Sequence, residues 1–351
     1  MPRFRTRLAG SELAESTVYE LPSRFASSPA LALDAGRSPL DSYSMNIIFC
    51  TDRLMLPALH VAAKQVLKFI TGRPEFTIIS EDLDQRDLDL LNQTLDTVGK
   101  GYRLGVIEAS TKPFAKFPRL TGSLAAYYRL LAPGLLDCQK CLYIDCDTFC
   151  LVDLAPLFEI NLGDCPVGMC AESPIDGNAD VRIAKVLGAR ASGYYYNSGV
   201  ILFNCAQWRE ENLESKCLEY IEAQQPDYHE QSALNFILHG RIYSLPPQFN
   251  LYTNVRTNWP SLIPPQNGEG RLLHFVDFPK PWSRYGRWVH PFGNMWWNAY
   301  RETAHAQNGG DVFSSLKWNQ KTWVGYKKTL KDKLLFDLYS ADILEPKGII
   351  K

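Results

Sequence analysis

The sequence predicts an α/β protein built on a mostly parallel sheet with helices on both faces. Three observations predict it. From residue 45 to about 136, short apolar runs alternate with segments whose apolar residues recur at helical spacing. The longest apolar runs, such as GVILF, are strand-length, whereas a membrane-spanning helix needs about 20 apolar residues. Polar residues follow several runs directly, where open α/β sheets bind ligands.

Residues 1–44 show neither strand nor helix periodicity and read as a disordered extension. The pattern begins abruptly at Met45, itself a candidate start of the native chain. MNIIFCTD is a buried strand ending in polar residues, and LPALHVAAKQVLKFI is a helix. FTIISEDL is the second strand, DQRDLDLLNQTLDTV an amphipathic helix with an acidic first turn, and YRLGVIEA the third strand. GSLAAYYRLLAPGLL is helical and is expected to stop near Pro133 and Gly134. KCLYIDCD is a strand running into a polar turn. Further on, YYYNSGVILFNCAQWRE reads as a strand entering a helix, and DYHEQSALNFILHG as a helix. IYSLPPQFN reads as a short strand and turn, and RLLHFVDFPKPW as a strand with a proline-broken loop.

The bulk numbers narrow the function. A hydrophobic fraction of 46% suits a chain with a real core, and a net charge of −1 gives no field toward nucleic acid. The basic start MPRFRTRLAG has no apolar run behind it, so a secretion signal is not expected. With nine cysteines and no such signal, reduced thiols in a cytoplasmic protein are expected.

Four of those cysteines fall in DCQKCLYIDCDTFC, residues 137–150. A zinc knuckle from Cys138, Cys141, Cys146 and Cys150 is disfavoured. Side chains alternate along a strand, so Cys141, Tyr143, Asp145 and Asp147 share a side while Cys146 points away. The aspartates are more informative. Asp145 and Asp147 stand two apart at the carboxyl end of a strand, and two carboxylates that close repel unless a cation lies between them. Mg²⁺ or Mn²⁺ would satisfy them and could bridge to a diphosphate. Taken singly, each residue also has a plain explanation: a solvated turn for the aspartates, a structural histidine for His274, and a loop lysine for Lys280. Arg129 would be a helix-surface charge and Asn197 a strand-edge residue.

The motifs resemble those of the retaining glycosyltransferases of family 8, in that family's order and over residues 45–300. CLYIDCDTFCLVDLAPLF resembles its D-x-D segment, and LAAYYRLLAPGLL the helix before it. YYYNSGVILFNCAQWRE resembles its Phe-Asn-Ser/Ala-Gly-Val segment, HEQSALNFIL its Asp-Gln-Asp-x-Leu-Asn helix, and LLHFVDFPKPW its closing His-x-x-Gly-x-x-Lys-Pro-Trp. The resemblance implies a GT-A fold, a UDP-sugar donor, retention of anomeric configuration and Mn²⁺, with Mg²⁺ as the alternative. It implies that Asp145, Asp147 and His274 hold the metal and that Asp52 meets the uracil. Lys280 would contact the diphosphate and Arg129 the donor. Asn197 would orient donor sugar or acceptor, Gln231 would lie near the anomeric carbon, and Glu230 would contact sugar hydroxyls.

The chain departs from the family pattern at three places. Glu230 replaces the usual Asp, so the choice between glucose and galactose is open. Asp277 replaces the glycine of the closing segment, where a carboxylate would repel phosphate. DRLM at 52–55 lacks the family's Asn-Tyr pair. The rival readings are a nucleotidyltransferase, which would want a Gly- and Lys-rich phosphate loop after the first strand, and a nucleotide-sugar-binding protein without activity. The acceptor is expected to be a glycan or lipid-linked oligosaccharide in lipopolysaccharide or surface-polysaccharide synthesis.

Residues 301–351 form a separate segment, read as a small helical tail. Lys317, Lys321, Lys327, Lys328, Lys331 and Lys333 lie there among Trp318, Trp323 and Tyr326. Lysines with aromatic residues suit an anionic membrane surface, and the resemblance to bacterial enzymes of the family implies a peripheral position at the inner face of the cytoplasmic membrane. A solvated basic helix packed on the domain is the plainer alternative.

Overall fold

A computed structural model describes residues 45–119, 123–175, 183, 185, 187, 193–253, 270–276, 279–283, 285–310, 312, 323–331 and 333–335. The expectations for residues 1–44 and for Asp277 lie outside the described residues.

Strand β1 (Met45–Cys50) is buried at every position, as its unbroken apolar run requires. Helix α1 (Leu56–Phe69) returns the chain to β2 (Pro74–Ser80), and α2 (Gln85–Asp96) leads to β3 (Arg103–Glu108). The acidic first turn of α2 is a capping box. Asp84 accepts from Asp87 N at 3.0 Å, and Asp87 accepts from Asp84 N at 3.1 Å, a pairing that stabilises the helix by about 1 kcal/mol.

Helix α3 (Ala125–Leu135) precedes β4 (Lys140–Ile144), β5 (Thr148–Cys150) and α4 (Ala155–Glu159). Helix α3 ends one residue past Gly134, at the stop expected near Pro133 and Gly134. Arg209 Nη1 takes the Pro133 carbonyl at 2.7 Å, so this last turn is tied down from outside the helix.

Then come β6 (Val167–Pro174), β7 (Tyr194–Asn204), α5 (Cys205–Glu210), α6 (Leu213–Gln224) and α7 (His229–Ile237). Strands β8 (Ile242–Ser244), β9 (Leu251–Tyr252) and β10 (Leu272–His274) follow. Helices α8 (Gly286–Val289), α9 (Gly293–Arg301) and α10 (Ala304–Gln307) come next. Ala304 N donates to Thr94 Oγ1 at 2.9 Å, and Lys64 Nζ to Glu302 O at 3.0 Å, so this region packs on α1 and α2. Residues 323–331 are helical, docked through buried Tyr326, whose ring lies 5.8 Å from that of Tyr285.

The seven-stranded sheet has the order β3-β2-β1-β4-β7-β6-β8. Its first four strands are mutually parallel, and β7 runs against both neighbours. The chain moves outward from β1 to β3, then crosses to β4 on the other side of β1. That reversal opens a crevice at the carboxyl ends of β1 and β4. A second sheet, β5-β10-β9, stands beside it.

Alternation along β4 divides two cores. Cys141 and Tyr143 join one, while Leu142, Ile144 and Cys146 join the other. Cys150 belongs with Cys146. The four cysteines of 137–150 therefore do not converge.

Candidate active site

The crevice between β1 and β4 gathers the residues named above. Asp145 immediately follows β4, and its N–H donates to Gly199 O on β7 at 2.8 Å. The chain then turns into β5, which pairs antiparallel with β10 so that His274 stands opposite Thr148. Phe275 N donates to Asp147 O at 2.9 Å and locks the register beside the site. Two strands more than a hundred residues apart in sequence thus deliver three side chains to one point. His274 Nε2 lies 3.1 Å from Asp147 Oδ1 and 3.7 Å from Asp145 Oδ2. One ligand atom from each of the three falls within 4.8 Å of the others.

The orientation of His274 follows from a chain of forced choices. Gly199 N–H must donate, so the atom of Asn197 that it reaches at 2.8 Å is Oδ1. Asn250 reaches the same oxygen at 2.9 Å and must do so with Nδ2. Its remaining amide atom, Oδ1, accepts from His274 Nδ1 at 2.8 Å. Nδ1 therefore carries a proton, and Nε2 is the ring atom turned toward Asp145 and Asp147. Two carboxylates and one imidazole are a donor set that suits a divalent ion such as Mn²⁺.

Gly199 makes this approach possible. A Cβ there would collide with His274 Cε1 and stand 2.7 Å from Nδ1.

Lys280 Nζ lies 2.8 Å from Asp147 Oδ2 and also donates to Phe275 O. Burial pushes the Asp147 carboxyl up, but Lys280 and then His274 outweigh it and hold the group well below the usual carboxylate range.

Arg129 faces inward from α3, 5% exposed. It donates to Asp145 Oδ1 at 2.8 Å and to Ser198 O at 2.7 Å, and it lies 3.4 Å from Glu230 Oε1. Its guanidinium also covers the Tyr143 ring at 4.4 Å, and the Tyr143 hydroxyl donates to Asp145. Burial opposes its charge, but Asp145, Tyr143 and Glu230 hold it protonated. Glu230 is itself buried, and burial raises its carboxyl against the pull of Arg129.

Gln231 Oε1 accepts from Ser198 N and from Asn197 Nδ2, both at 3.0 Å, so its Nε2 faces outward to Glu172 Oε2 at 3.2 Å. Asp52 accepts from Met55 N at 3.1 Å and caps the turn after β1. Arg53 ties that turn to the next crevice loop, binding Asp84 at 2.9 Å and Asp87 at 2.8 Å.

Three residues absent from the expectations join the site: Glu172, Ser198 and Asn250. Glu172 as a residue is exposed, yet its carboxyl end is enclosed enough to raise its pKa, against hydrogen bonds from Asn197 and Gln231 and the charge of His274. Ser198 sits inside the quoted YYYNSGV motif and was findable there. Asn250 lies in a turn with no pattern around it.

Residues 46–286 match the family described as Glycosyl transferase family 8. The chain belongs to that family. It is 29% identical over 216 residues to a putative glycosyltransferase of Haemophilus influenzae, covering 60% of this chain and 64% of that protein. The chain thus spans a little under two thirds of that relative. The lipopolysaccharide 1,3-galactosyltransferase of Salmonella typhimurium is 24% identical over 263 residues, covering 70% of this chain and 75% of that one. Among solved structures, the galactosyltransferase LgtC, crystallised with donor and acceptor sugar analogues, superposes with a TM-score of 0.59 at 24% identity. That match covers 80% of this chain and all of LgtC. The family 8 chain has the GT-A arrangement expected of it: a mostly parallel sheet flanked by helices, with polar residues along one edge. Among the described residues, no helix is long and apolar enough to cross a membrane.

Proposed function

We propose that the protein is a metal-dependent, retaining hexosyltransferase that moves glucose or galactose from a UDP-sugar to a glycan or lipid-linked acceptor. The observation that carries this reading is the convergence of Asp145, Asp147 and Nε2 of His274 beside Lys280, at the crevice of a family 8 chain. The lipopolysaccharide enzymes among its relatives support an acceptor in that class.

Asp145, Asp147 and His274 would hold Mn²⁺, whose charge offsets that of a departing diphosphate. Lys280 adds a mobile point charge at the same place. While no donor is bound it rests on Asp147, and an incoming phosphate competes for it. Asp52, just past the carboxyl end of β1, would meet the base. Arg129 holds Asp145 and Glu230 in place and so acts as a positioning residue. Its donors are turned toward protein acceptors.

Asn197, Gln231 and Glu172 form a connected polar floor. Glu172 accepts from both amides at 3.4 Å and 3.2 Å, and the remaining lone pairs suit sugar hydroxyls. Gln231 is an amide, not a carboxylate, so the floor offers no charged nucleophile at that position. This favours attack by the acceptor on the face from which the diphosphate leaves.

The test is UDP release from a panel of UDP-sugars, with Mn²⁺ or with EDTA, by the wild type and by Asp147→Ala. Metal-dependent release from one sugar, lost in the variant, supports the reading and names the donor. UDP binding with no release from any sugar and any acceptor would make the chain a binding protein instead.

We also propose that the C-terminal helix places the protein at an anionic membrane surface. Trp323, Leu330 and Leu334 recur at helical spacing and are 48%, 43% and 56% exposed, with Lys327, Lys328 and Lys331 exposed around them.

A further inference from the structure

The stretch 137–150 supplies a second group of side chains that the active site does not use. Cys138 and Cys141 flank the start of β4. Strand β7 runs antiparallel to β4 with Asn204 opposite Lys140, and Cys205 N donates to Gln139 O at 2.8 Å. The ladder therefore carries Cys205 to the C-x-x-C pair from 64 residues away. Cys205 Sγ lies 3.3 Å from Cys141 Sγ and 3.7 Å from Cys138 Sγ. One sulfur from each lies within 4.8 Å of the others.

This spacing is informative. A disulfide would put two sulfurs about 2.05 Å apart. Thiolates that share a tetrahedral zinc at about 2.3 Å stand roughly 3.8 Å from each other, so shifts of a few tenths of an ångström would close this cluster on an ion. Cys141 and Cys205 are fully buried, while Cys138 is only half-buried and gives access. The Arg209 guanidinium is fixed alongside by the carbonyls of Pro133, Leu136 and Cys138, at 2.7, 3.1 and 3.2 Å. Hydrogen bonds from Cys141 and Cys205, aided by that charge, pull the Cys138 thiol down, whereas burial raises Cys141, and the hydrogen bond with Cys138, helped by burial, raises Cys205. The donors are all sulfur, with no carboxylate or imidazole among them, and such a set selects thiophilic ions over Mg²⁺ or Mn²⁺.

We propose that Cys138, Cys141 and Cys205 form a Zn²⁺-binding site separate from the carboxylate site, with water completing the fourth position on the Cys138 side. Zn²⁺ binding forms three metal–sulfur bonds and releases the protons still held by the thiols. No electron moves and no oxidant is needed. Affinity therefore rises with pH. The site joins the loop before β4 to the β7–α5 junction. It lies at the opposite end of β4 from Asp145, about 13 Å along the strand. An ion there would clamp the two strands that carry Asp145 and Asn197 without entering the chemistry.

The experiment is a Zn²⁺ titration of the reduced full chain against a chromogenic chelator. It uses Asp147→Ala as the parent, so that the carboxylate site is weakened and the cysteine substitutions report on the sulfur site. Cys138→Ser and Cys205→Ser are made on that parent. One Zn²⁺ per chain is expected in the parent, with at least a tenfold loss of affinity in each cysteine variant. Zn²⁺ should raise the thermal midpoint of the parent and not that of Cys138→Ser. Because Cys138 is half-buried, that variant should fold, and its circular dichroism checks this. Three results would overturn the proposal: no retained Zn²⁺ in the parent, Zn²⁺ retention unchanged by both cysteine substitutions, or a disulfide within the trio that forms equally with Zn²⁺ present.

Discussion

His274 Nδ1 lies 2.8 Å from Asn250 Oδ1, and that one contact decides which ring nitrogen faces Asp145 and Asp147. Asn250 touches neither carboxylate. It acts only through the histidine, and its own orientation is set by Asn197 and Gly199. Asn250→Ala removes this control and lets the ring adopt the other tautomer or rotate. The Mn²⁺ concentration for half-maximal UDP release should rise roughly 10–100-fold, the usual effect of losing such a partner. The rate at saturating Mn²⁺ should recover much of the wild-type value. Unchanged metal dependence would show that the contact does not set the ligand.

Arg129 distinguishes a positioning role from direct donor contact. Its side chain is 6% exposed and pairs with Asp145 and Glu230. Arg129→Met leaves two partly or fully buried carboxylates without their cation. The cost to stability should be about 3–5 kcal/mol. Denaturant unfolding measures this directly. A residue that reached out to donor phosphate would lose UDP affinity with little change in stability.

His60 gives the fold a pH dependence unrelated to the active site. It is buried on α1 and holds Thr94 Oγ1 at 2.8 Å, with its other nitrogen unpartnered. Burial, with His305 nearby, pushes its pKa from 6.5 down to about 3. The folded state therefore keeps it neutral while the unfolded state takes up a proton below pH 6.5. The stability it contributes is complete above that value and is lost as pH falls toward 3. At pH 5 the loss is about 2 kcal/mol from this residue. The thermal midpoint should fall between pH 7 and pH 5, and fall less in His60→Gln.

The C-terminal helix should bind vesicles containing anionic lipid and release them as salt rises. Trp323→Ala combined with Leu334→Ser should reduce co-sedimentation severalfold without changing UDP release. Equal binding by the wild type and this double variant would assign the helix to packing alone.

The alternation of strands and helices was legible because each run keeps one period. Asp84 and Asp87 announced α2, and the polar end of KCLYIDCD announced the crevice. Asp145 and Asp147 were legible for the same reason, since a strand end in this topology is a ligand edge. His274 needed the family motif, because its approach depends on β5 pairing with β10, which local periodicity does not encode. Asn250 and Glu172 were not legible at all. One sits in a turn and the other on an exposed strand end, and only the folded register brings them to Asn197. Cys205 illustrates the same limit. The C-x-x-C pair was visible, but its third sulfur comes from the antiparallel partner strand.

The central claim is that Asp145, Asp147 and His274 bind a divalent cation that UDP then joins. Electron paramagnetic resonance of Mn²⁺ with purified protein tests it most directly. One bound Mn²⁺ per chain is predicted, bound more tightly with UDP present, and lost in Asp147→Ala and in His274→Ala. Mn²⁺ that stays free with and without UDP, or that binds both variants as it binds the wild type, would contradict the account.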